Sequence, residues 1–211
     1  MKPDQTLFRL VDKRSKDIFK KFKKFYENDS KPFMNKVSRD YEESGKFPGH
    51  VLETIKNIDK NEYDSVVCVL RGGIPYTVLF EALGWKVHYV LCGRRNEKFV
   101  DTEEGLRFSK SVDTTLPHIR GKKVLLIENN SLKGISPGRV AVELKKSFGI
   151  KRPDLFLDYF VPKLPWAKDI LRFENNPNKL KKFGKIFVAK DAKVKEAKRR
   201  RLVEEFLEVM G

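Results

Sequence analysis

The sequence has little of what metal centres, disulfide frameworks and membrane spans require. Its 211 residues include two cysteines and three histidines, and no apolar run approaches the roughly 20 residues that cross a bilayer. Cys68 and Cys92 lie inside strand-like runs, so we expect both to be reduced core residues. The histidines at 50, 88 and 118 share no ligand spacing with the cysteines, which argues against a metal site built from these residues.

The start of the chain also lacks the pattern of a signal peptide. Residues 1–17 mix charges of both signs, whereas a signal peptide has a positively charged start followed by an apolar run. Because no membrane-spanning run follows either, the sequence predicts a cytoplasmic protein without a membrane partner.

Acidic residues are outnumbered by basic ones. The chain has 45 lysines and arginines against 29 acids, a formal net charge of +16 and a pI near 9.7. A positive field favours anionic partners such as nucleotides, pyrophosphate or nucleic acid, and does not choose among them. A surface rich in lysine and glutamate is also typical of proteins from thermophiles, so the charge has a second interpretation without a partner.

Strand-like and helical patterns alternate through most of the chain, which predicts an α/β fold with a central, mostly parallel sheet and helices on both faces. Predicted strands lie at about 64–70, 86–92, 124–127, 153–160 and 185–189. Predicted helices lie at about 4–28, 32–44, 49–58, 75–83, 137–147 and 190–210. We divide the chain into an N-terminal helical extension packed on the core, the core itself, and a C-terminal addition, over residues 1–60, 61–160 and 161–211.

The rest of the chain is organised around residues 124–142. Four apolar residues form a strand of the kind that is buried on both faces, and a polar segment with Gly134 follows. Ser136 suits the N-cap of the next helix, and Pro137 suits its first position. An acid at a strand end, a glycine loop and a helix N-terminus together predict a phosphate site.

A second loop of this kind follows the first predicted strand. Arg71-Gly72-Gly73 stands between that strand and a helix, and adjacent glycines let backbone amides turn inward around an anion. The sequence therefore predicts two anion loops at carboxyl ends of strands, which is where open α/β sheets bind ligands.

These two loops resemble the signatures of the type I phosphoribosyltransferases. Glu128 matches the first acid of the family motif, Gly134 its glycine and Ser136 its final hydroxyl, while Asn129 stands in place of the second acid and Lys133 in place of a threonine. Leu70-Arg71-Gly72-Gly73 is similar to the Leu-Lys-Gly-Gly loop of purine-handling members. The resemblance covers about 64–160, and it implies the family's α/β fold with a hood after the core, here within 161–211, preceding the C-terminal helix.

The resemblance implies transfer of the phosphoribosyl group from 5-phosphoribosyl 1-pyrophosphate (PRPP) to a nucleobase, with pyrophosphate release and Mg²⁺ bound through PRPP. A purine is the expected base, although Leu132 stands where purine enzymes often carry a base-contacting acid. We also expect a homo-oligomer and a flexible loop over 93–122 that closes on the reacting centre. The implied catalytic residues are Glu128 and Asn129; the 5′-phosphate residues are Ser131, Leu132, Lys133, Gly134, Ile135 and Ser136; the pyrophosphate residues are Arg71, Gly72, Gly73, Arg94 and Arg95; and the base-stacking residues are Phe160 and Trp166.

Two other functions stay open at this point. Asn129 has lost a charge that would help to stabilise a cationic transition state, which is typical of a PRPP- or nucleotide-binding regulator with weak or no catalysis. The basic helices at the two ends, with the cluster 198–201 expected to point outward, would suit a nucleic-acid-binding protein, although no nucleic-acid-binding motif accompanies them.

Overall fold

The computed structural model describes residues 2–22, 47–70, 72–92, 106–107, 123–128, 135–159, 177–190 and 194–211. The helices of these ranges are α1 (Pro3–Phe22), α2 (Gly49–Lys56), α3 (Ile74–Ala82), α4 (Ile135–Phe148), α5 (Pro177–Leu180) and α6 (Glu196–Met210), with a 3-10 turn at Lys60–Glu62. The strands are β1 (Ser65–Leu70), β2 (Val87–Cys92), β3 (Leu106–Arg107), β4 (Val124–Glu128), β5 (Asp154–Tyr159) and β6 (Ile186–Lys190).

The six strands form one sheet in the order β3-β2-β1-β4-β5-β6. Five of them run parallel, and the two-residue β3 pairs antiparallel with β2 at one edge. Parallel strands buried on both faces are expected to be continuously apolar, and β1 is indeed buried at every position. The predicted α/β class with a mostly parallel sheet is confirmed.

Helices cover both faces of this sheet. On one face, α1, α2, α3 and α6 pack over a core that contains Cys68, Ile127 and Phe156, and α1 contributes the apolar stripe that includes Leu7 and Val11. On the other face, α4 packs through Val140 and Leu144, residues four apart on one side of the helix. Because successive side chains of a strand point to opposite faces of the sheet, the position of a residue in its strand determines which layer of helices its side chain contacts.

Glycines end the two helices that follow the predicted anion loops. Gly84 after α3 has a φ of 76°, and Gly149 after α4 has a φ of 70°, the left-handed conformation that glycine adopts without strain. The sequence predicts that these helices end at Gly84 and Gly149, and both ends are confirmed.

Several element boundaries differ from the sequence-based prediction. Helix α4 begins at Ile135, so Ser136 and Pro137 lie inside its first turn, and the prediction of Ser136 as N-cap and Pro137 as first helical residue is wrong. Lys190 ends β6, and the C-terminal helix begins only at Glu196. These shifts are small, because the fraying ends of elements follow tertiary contacts more than local sequence.

Two short elements differ from the prediction. Helix α5 occupies Pro177–Leu180, where a loop was expected over 175–182. The sequence predicts a small hairpin of 99–100 with 106–108, and Leu106–Arg107 is indeed a strand, with β2 as its described partner. The expected partner of that hairpin, 99–100, lies outside the described residues, as do the predicted helix 32–44, most of the loop 93–122 and the hood at 161–176. The three-part division of the chain at 60 and 160 stays a prediction, although β6 joins the same sheet as the core strands.

No helix within the described part of the chain combines the length and the apolar character that crossing a bilayer would require.

Candidate functional site

The two predicted anion loops leave the sheet side by side. From β1 the chain goes to β2 on one side, and it later returns to place β4 on the other side of β1. The parallel neighbours β1 and β4 thus form the topological switch point of the sheet, where loops at the carboxyl ends diverge and leave a crevice. Gly72 and Gly73 follow β1 there, and Glu128 ends β4 there.

Gly73 lies in tight contact with both of these strands. A Cβ atom built on Gly73 would lie 2.8 Å from the Ile127 carbonyl oxygen, 2.9 Å from Cys68 Sγ and 3.1 Å from the Val69 carbonyl oxygen. Its φ of −74° is ordinary, so glycine is needed here for space and not for backbone conformation. The turn after β1 is therefore held directly against the last residues of β4.

Helix α3 begins at this turn. Ile74 and Pro75 open the helix, and Pro75 suits a first turn where a missing amide hydrogen costs nothing. The Gly73 carbonyl accepts hydrogen bonds from the backbone amide and the hydroxyl of Thr77, each 3.0 Å long. The amide end of α3 is thereby fixed at the switch point, with Gly72 and Gly73 at its start.

Glu128 is the last residue of β4, at the carboxyl edge of the sheet. It is half-buried, and the alternation of β4 places it on the α4 face of the sheet, opposite Ile127. Burial raises the pKa of the Cys68 thiol, and the nearby negative charge of Glu128 raises it further. Ser136, in the first turn of α4, is also buried. Glu128 and Ser136 thus flank residues 129–134 from the strand side and the helix side.

Most of the other predicted site residues lie outside the described residues. The structure describes the backbone of Ile135 as the first residue of α4. The remaining predicted site residues, which stay predictions, are Arg71, Arg94, Arg95, Asn129, Ser131, Leu132, Lys133, Gly134, Phe160 and Trp166.

A buried polar network next to the Gly72-Gly73 turn was missed by the sequence analysis. Tyr76, in the first turn of α3, donates a hydrogen bond of 2.7 Å to Oδ2 of Asp158 in β5. His50, at the start of α2, has its Nε2 3.6 Å from Oδ1 of the same carboxyl group. Asp158 and Tyr76 are both fully buried. This network joins α2, α3 and β5 at the carboxyl edge of the sheet.

The signal for this network was present in the sequence. Asp158 interrupts the apolar run of the fourth predicted strand, 153–160, two positions after Phe156, and therefore on the same face of the sheet. A charged residue at such an inward position requires a polar partner, since an unpaired buried charge is strongly unfavourable. The partners of Asp158 come from α2 and α3, which are distant in the sequence, so no local sequence pattern could have predicted them.

The opposite, amino-terminal edge of the sheet carries a different polar cluster. Asp154 accepts hydrogen bonds from the Tyr63 hydroxyl at 2.6 Å and the Lys185 amide at 2.7 Å. Burial, followed by the hydrogen bond to Asp154, raises the pKa of Tyr63. Hydrogen bonds from Lys185 and Lys123 lower the pKa of Glu62. These contacts tie strand beginnings together and lie away from the crevice.

Metal ligands do not cluster in the described ranges: no three His, Cys, Asp or Glu side chains there come together as a metal site would require. The Mg²⁺ that the resemblance implies would be carried by PRPP and would not require such a cluster.

Comparison with known proteins adds little. No protein-family model matches the chain, and no curated protein matches it. Among solved structures, the chain is similar to the crystal structure of a hypothetical protein from Neisseria gonorrhoeae with bound ppGpp, with 16% identity, a TM-score of 0.42, and coverage of 74% of this chain and 90% of that chain. At this identity and TM-score, the similarity carries no argument about the ligand or the activity of this chain.

Proposed function

We propose that this protein binds PRPP in the crevice between β1 and β4 and transfers its phosphoribosyl group to a nucleobase, a purine being the first candidate. One observation carries this proposal. The two loops that resemble the phosphoribosyltransferase signatures are far apart in sequence, yet they follow β1 and β4, the neighbouring strands of the topological switch point, and Gly73 packs against the end of β4.

In the proposed reaction, a nucleobase nitrogen forms a bond to the anomeric carbon of PRPP. The bond from that carbon to the pyrophosphate oxygen breaks, its electron pair leaves with pyrophosphate, and the attacking nitrogen loses its proton to solvent. The transition state carries positive charge on the ribose, which a carboxylate close to the ring stabilises. Glu128 is the candidate for this part, because it ends β4 at the crevice.

The phosphates of PRPP have two separate candidate sites. The start of α4, with Ser136 in its first turn, would hold the 5′-phosphate, because helix amino termini offer free amides and a positive dipole end. The turn of Gly72 and Gly73 at the start of α3 would hold the pyrophosphate. Mg²⁺ bound to PRPP would neutralise the charge that develops on the leaving pyrophosphate.

A second candidate function is nucleotide or PRPP binding without efficient catalysis. The observation in its favour is Asn129, which replaces the second acid of the family motif. An amide still donates to and accepts from ribose hydroxyls, but it brings no charge. A charge-assisted hydrogen bond is worth about 1.5–3 kcal/mol and a neutral one about 1 kcal/mol, so the substitution weakens the site without removing it.

Titration calorimetry with PRPP and Mg²⁺, followed by an assay of pyrophosphate release, separates these functions. The base panel is hypoxanthine, guanine, xanthine, adenine, uracil and orotate. An enzyme binds PRPP and releases pyrophosphate with one class of base. A binding module binds PRPP or a nucleoside monophosphate and stays inactive with every base. A chain that binds neither compound contradicts both functions.

Glu128→Gln tests the site itself, because it removes one charge and keeps the side-chain shape. We expect turnover to fall by about tenfold or more, with a smaller change in PRPP affinity, since the lost interaction is strongest in the transition state. The matched control is Glu204→Gln, the same chemical change on α6. If Glu128→Gln leaves both turnover and binding unchanged while the parent is active, the crevice between β1 and β4 is not the site.

A further inference from the structure

The basic cluster at the C-terminal end is largely neutralised within the molecule. Arg199 is buried and binds Asp4 and Glu196, so the prediction that this residue points outward is wrong. Its three neighbours in the cluster are ion-paired as well: Lys198 with Glu53, Arg200 with Glu204 and Arg201 with Glu205. An anionic partner would have to compete with these carboxylates, which makes this end of the chain a poor site for it.

The surface of α4 and the adjacent turns has the opposite character. Residues 138–152 and 178–183 contain eight lysines and arginines and a single acid, Glu143, which accepts a hydrogen bond from the Ser147 hydroxyl. Six of these cations are exposed: Lys145, Lys146, Lys151, Arg152, Lys181 and Lys182. Among the residues that the structure describes, none of the five lysines forms an ion pair. We call these six residues the α4 surface.

Contacts between the segments show that the α4 surface is continuous. Arg152 donates two hydrogen bonds, of 2.9 and 2.6 Å, to the Phe183 carbonyl oxygen, which joins the turn after α4 to the turn after α5. The Lys182 side chain lies across the first turn of α4, with Nζ 3.6 Å from a Cβ built on Gly138. The cations therefore extend from the first turn of α4, through Lys182, to the turn beyond its last residue.

The α4 surface lacks a prominent apolar centre. Val142 is 51% exposed and lies three and four residues before Lys145 and Lys146, which places it beside both on the helix. No exposed aromatic residue accompanies it in the described part of these segments. Protein partners are recognised by buried aromatic and aliphatic anchors, and membrane-bound helices insert several large apolar side chains. Six exposed cations with one exposed valine among them fit neither pattern.

We propose that the α4 surface binds the phosphate backbone of a nucleic acid. Lys145 and Lys146 lie in the last turn of α4, and the other four cations lie in the turns after α4 and α5. A polymer with one charge per phosphate matches such a spread of exposed cations. The contacts would be to phosphates and not to base edges, so binding would depend weakly on sequence. Lys182 lies beside the first turn of α4, which is also the candidate 5′-phosphate site, whereas Lys145, Lys146, Lys151 and Arg152 lie at and beyond the other end of this helix. Binding of a phosphate backbone by these cations does not depend on phosphoribosyl transfer.

Fluorescence anisotropy with a labelled single-stranded RNA 20-mer and a DNA duplex of mixed sequence tests the proposal. The test variant replaces Lys145, Lys146, Lys181 and Lys182 by serine. We expect its Kd at about 100 mM salt to rise tenfold or more, and the slope of log K against log salt to become shallower by about 3, since each released phosphate contact contributes 0.7–0.9.

The control variant replaces four exposed cations of the N-terminal segment, Lys2, Arg9, Lys13 and Lys21, by serine. Both variants lose the same formal charge, so a local site predicts that only the α4 variant loses affinity and slope. Circular dichroism and thermal unfolding verify that both fold, and the pair Lys181→Ser and Lys182→Ser serves as a milder second variant with about half the loss of slope.

Three results would overturn the proposal. The first is that the parent protein binds neither oligonucleotide. The second is that both variants lose affinity equally, which would indicate that the overall positive field of the molecule binds the oligonucleotide. The third is that poly-glutamate, or vesicles with anionic lipid, compete as well as the oligonucleotide at equal charge, which would indicate a partner of another class.

Discussion

Gly73 shows how one residue without a side chain holds the candidate site together. The turn after β1 approaches β4 so closely that a single methyl group would meet two backbone oxygens and a thiol. We expect Gly73→Ala to destabilise the fold by about 1–3 kcal/mol, the usual cost of overpacking, and to weaken PRPP binding, because the turn must move away from the crevice. Urea unfolding and titration calorimetry measure the two effects.

The control for that change is Gly138→Ala in α4. A Cβ there would lie at an ordinary distance of 3.6 Å from Lys182 Nζ, and alanine is the better helix former by roughly 0.5–1 kcal/mol. This variant should keep or raise stability. A Gly73→Ala protein as stable as the parent would show that the turn adapts without strain.

Tyr76 is the second residue on which the carboxyl edge depends. Its hydroxyl donates to a carboxyl group that is fully buried, so Tyr76→Phe leaves that group with one donor fewer and nowhere to find water. We expect a loss of about 1–3 kcal/mol in the free energy of unfolding. Tyr89→Phe removes a similar hydroxyl, which donates to Glu81 in an exposed position, and should cost far less. Equal losses in the two variants would contradict the importance of burial here.

Substitution of Asn129 by aspartate distinguishes the two proposed functions. If the protein is an enzyme limited by the missing acid, Asn129→Asp should raise kcat more than it changes PRPP affinity, because the charge acts on the developing cation. In a binding module, one restored acid should leave the chain inactive. Pyrophosphate release by parent, Asn129→Asp and Glu128→Gln, compared at equal salt, measures this. A fast parent that Asn129→Asp slows would show that the amide has a role of its own.

At the scale of elements, the sequence predicted the parts that are long and locally consistent. Strands β1 and β4 are continuous apolar runs bounded by polar residues, and helices α3 and α4 end at glycines, so each was visible in its own segment. For β3 the sequence predicted a hairpin arm over 106–108 but not its pairing with β2, because a partner that is distant in the sequence leaves no local pattern.

The same reasoning explains which site residues the sequence could predict. Gly72, Gly73 and Glu128 belong to local patterns at strand ends, and their convergence follows from a parallel sheet with a switch point. His50, Tyr76 and Asp158 come from three elements that meet only in the folded chain. The ion pairs of Arg199 were missed for the same reason, since Asp4 is at the other end of the sequence.

Arg199 connects the first and last helices of the chain, α1 and α6, through its side-chain contacts. It binds Asp4 of α1, whose Oδ1 also accepts a hydrogen bond from the Phe47 amide, and its side-chain carbons pack on Gly49 at the start of α2. Removing one partner of a buried pair leaves the other charge uncompensated, so Arg199→Met should cost about 3 kcal/mol. Arg200→Met breaks an exposed pair with Glu204 and should cost less than about 1 kcal/mol.

Denaturant unfolding of these two variants provides the measurement, and the double change with Asp4→Asn tests the coupling. If Asp4 is the partner that matters, the double variant should be less destabilised than the sum of its two single changes. Additive losses would mean that Arg199 contributes through packing alone.

At the scale of the whole molecule, the described cations differ in whether an acid is paired with them. Cations of α6 are paired with acids of α1, α2 and α6, whereas the lysines of the α4 surface face solvent without such partners. Since the chain carries a formal charge of +16, we expect the repulsion among its cations to exceed the attraction within the exposed pairs. An exposed ion pair contributes only about 0.2–1 kcal/mol, and long-range repulsion acts over the full surface.

This balance predicts the response of stability to salt. Raising NaCl from about 50 mM to about 500 mM shortens the screening length well below 10 Å and removes most of the long-range repulsion. We expect the thermal midpoint to rise by about 2–4 °C, equivalent to roughly 1 kcal/mol for a chain of this size. The variant with serine at 145, 146, 181 and 182 should begin at a higher midpoint at low salt and gain less from added salt, because part of the repulsion is already gone. A midpoint that falls with salt would mean that the ion pairs around Glu53 and Glu205 outweigh the repulsion, and that the net charge does not limit the stability of this fold.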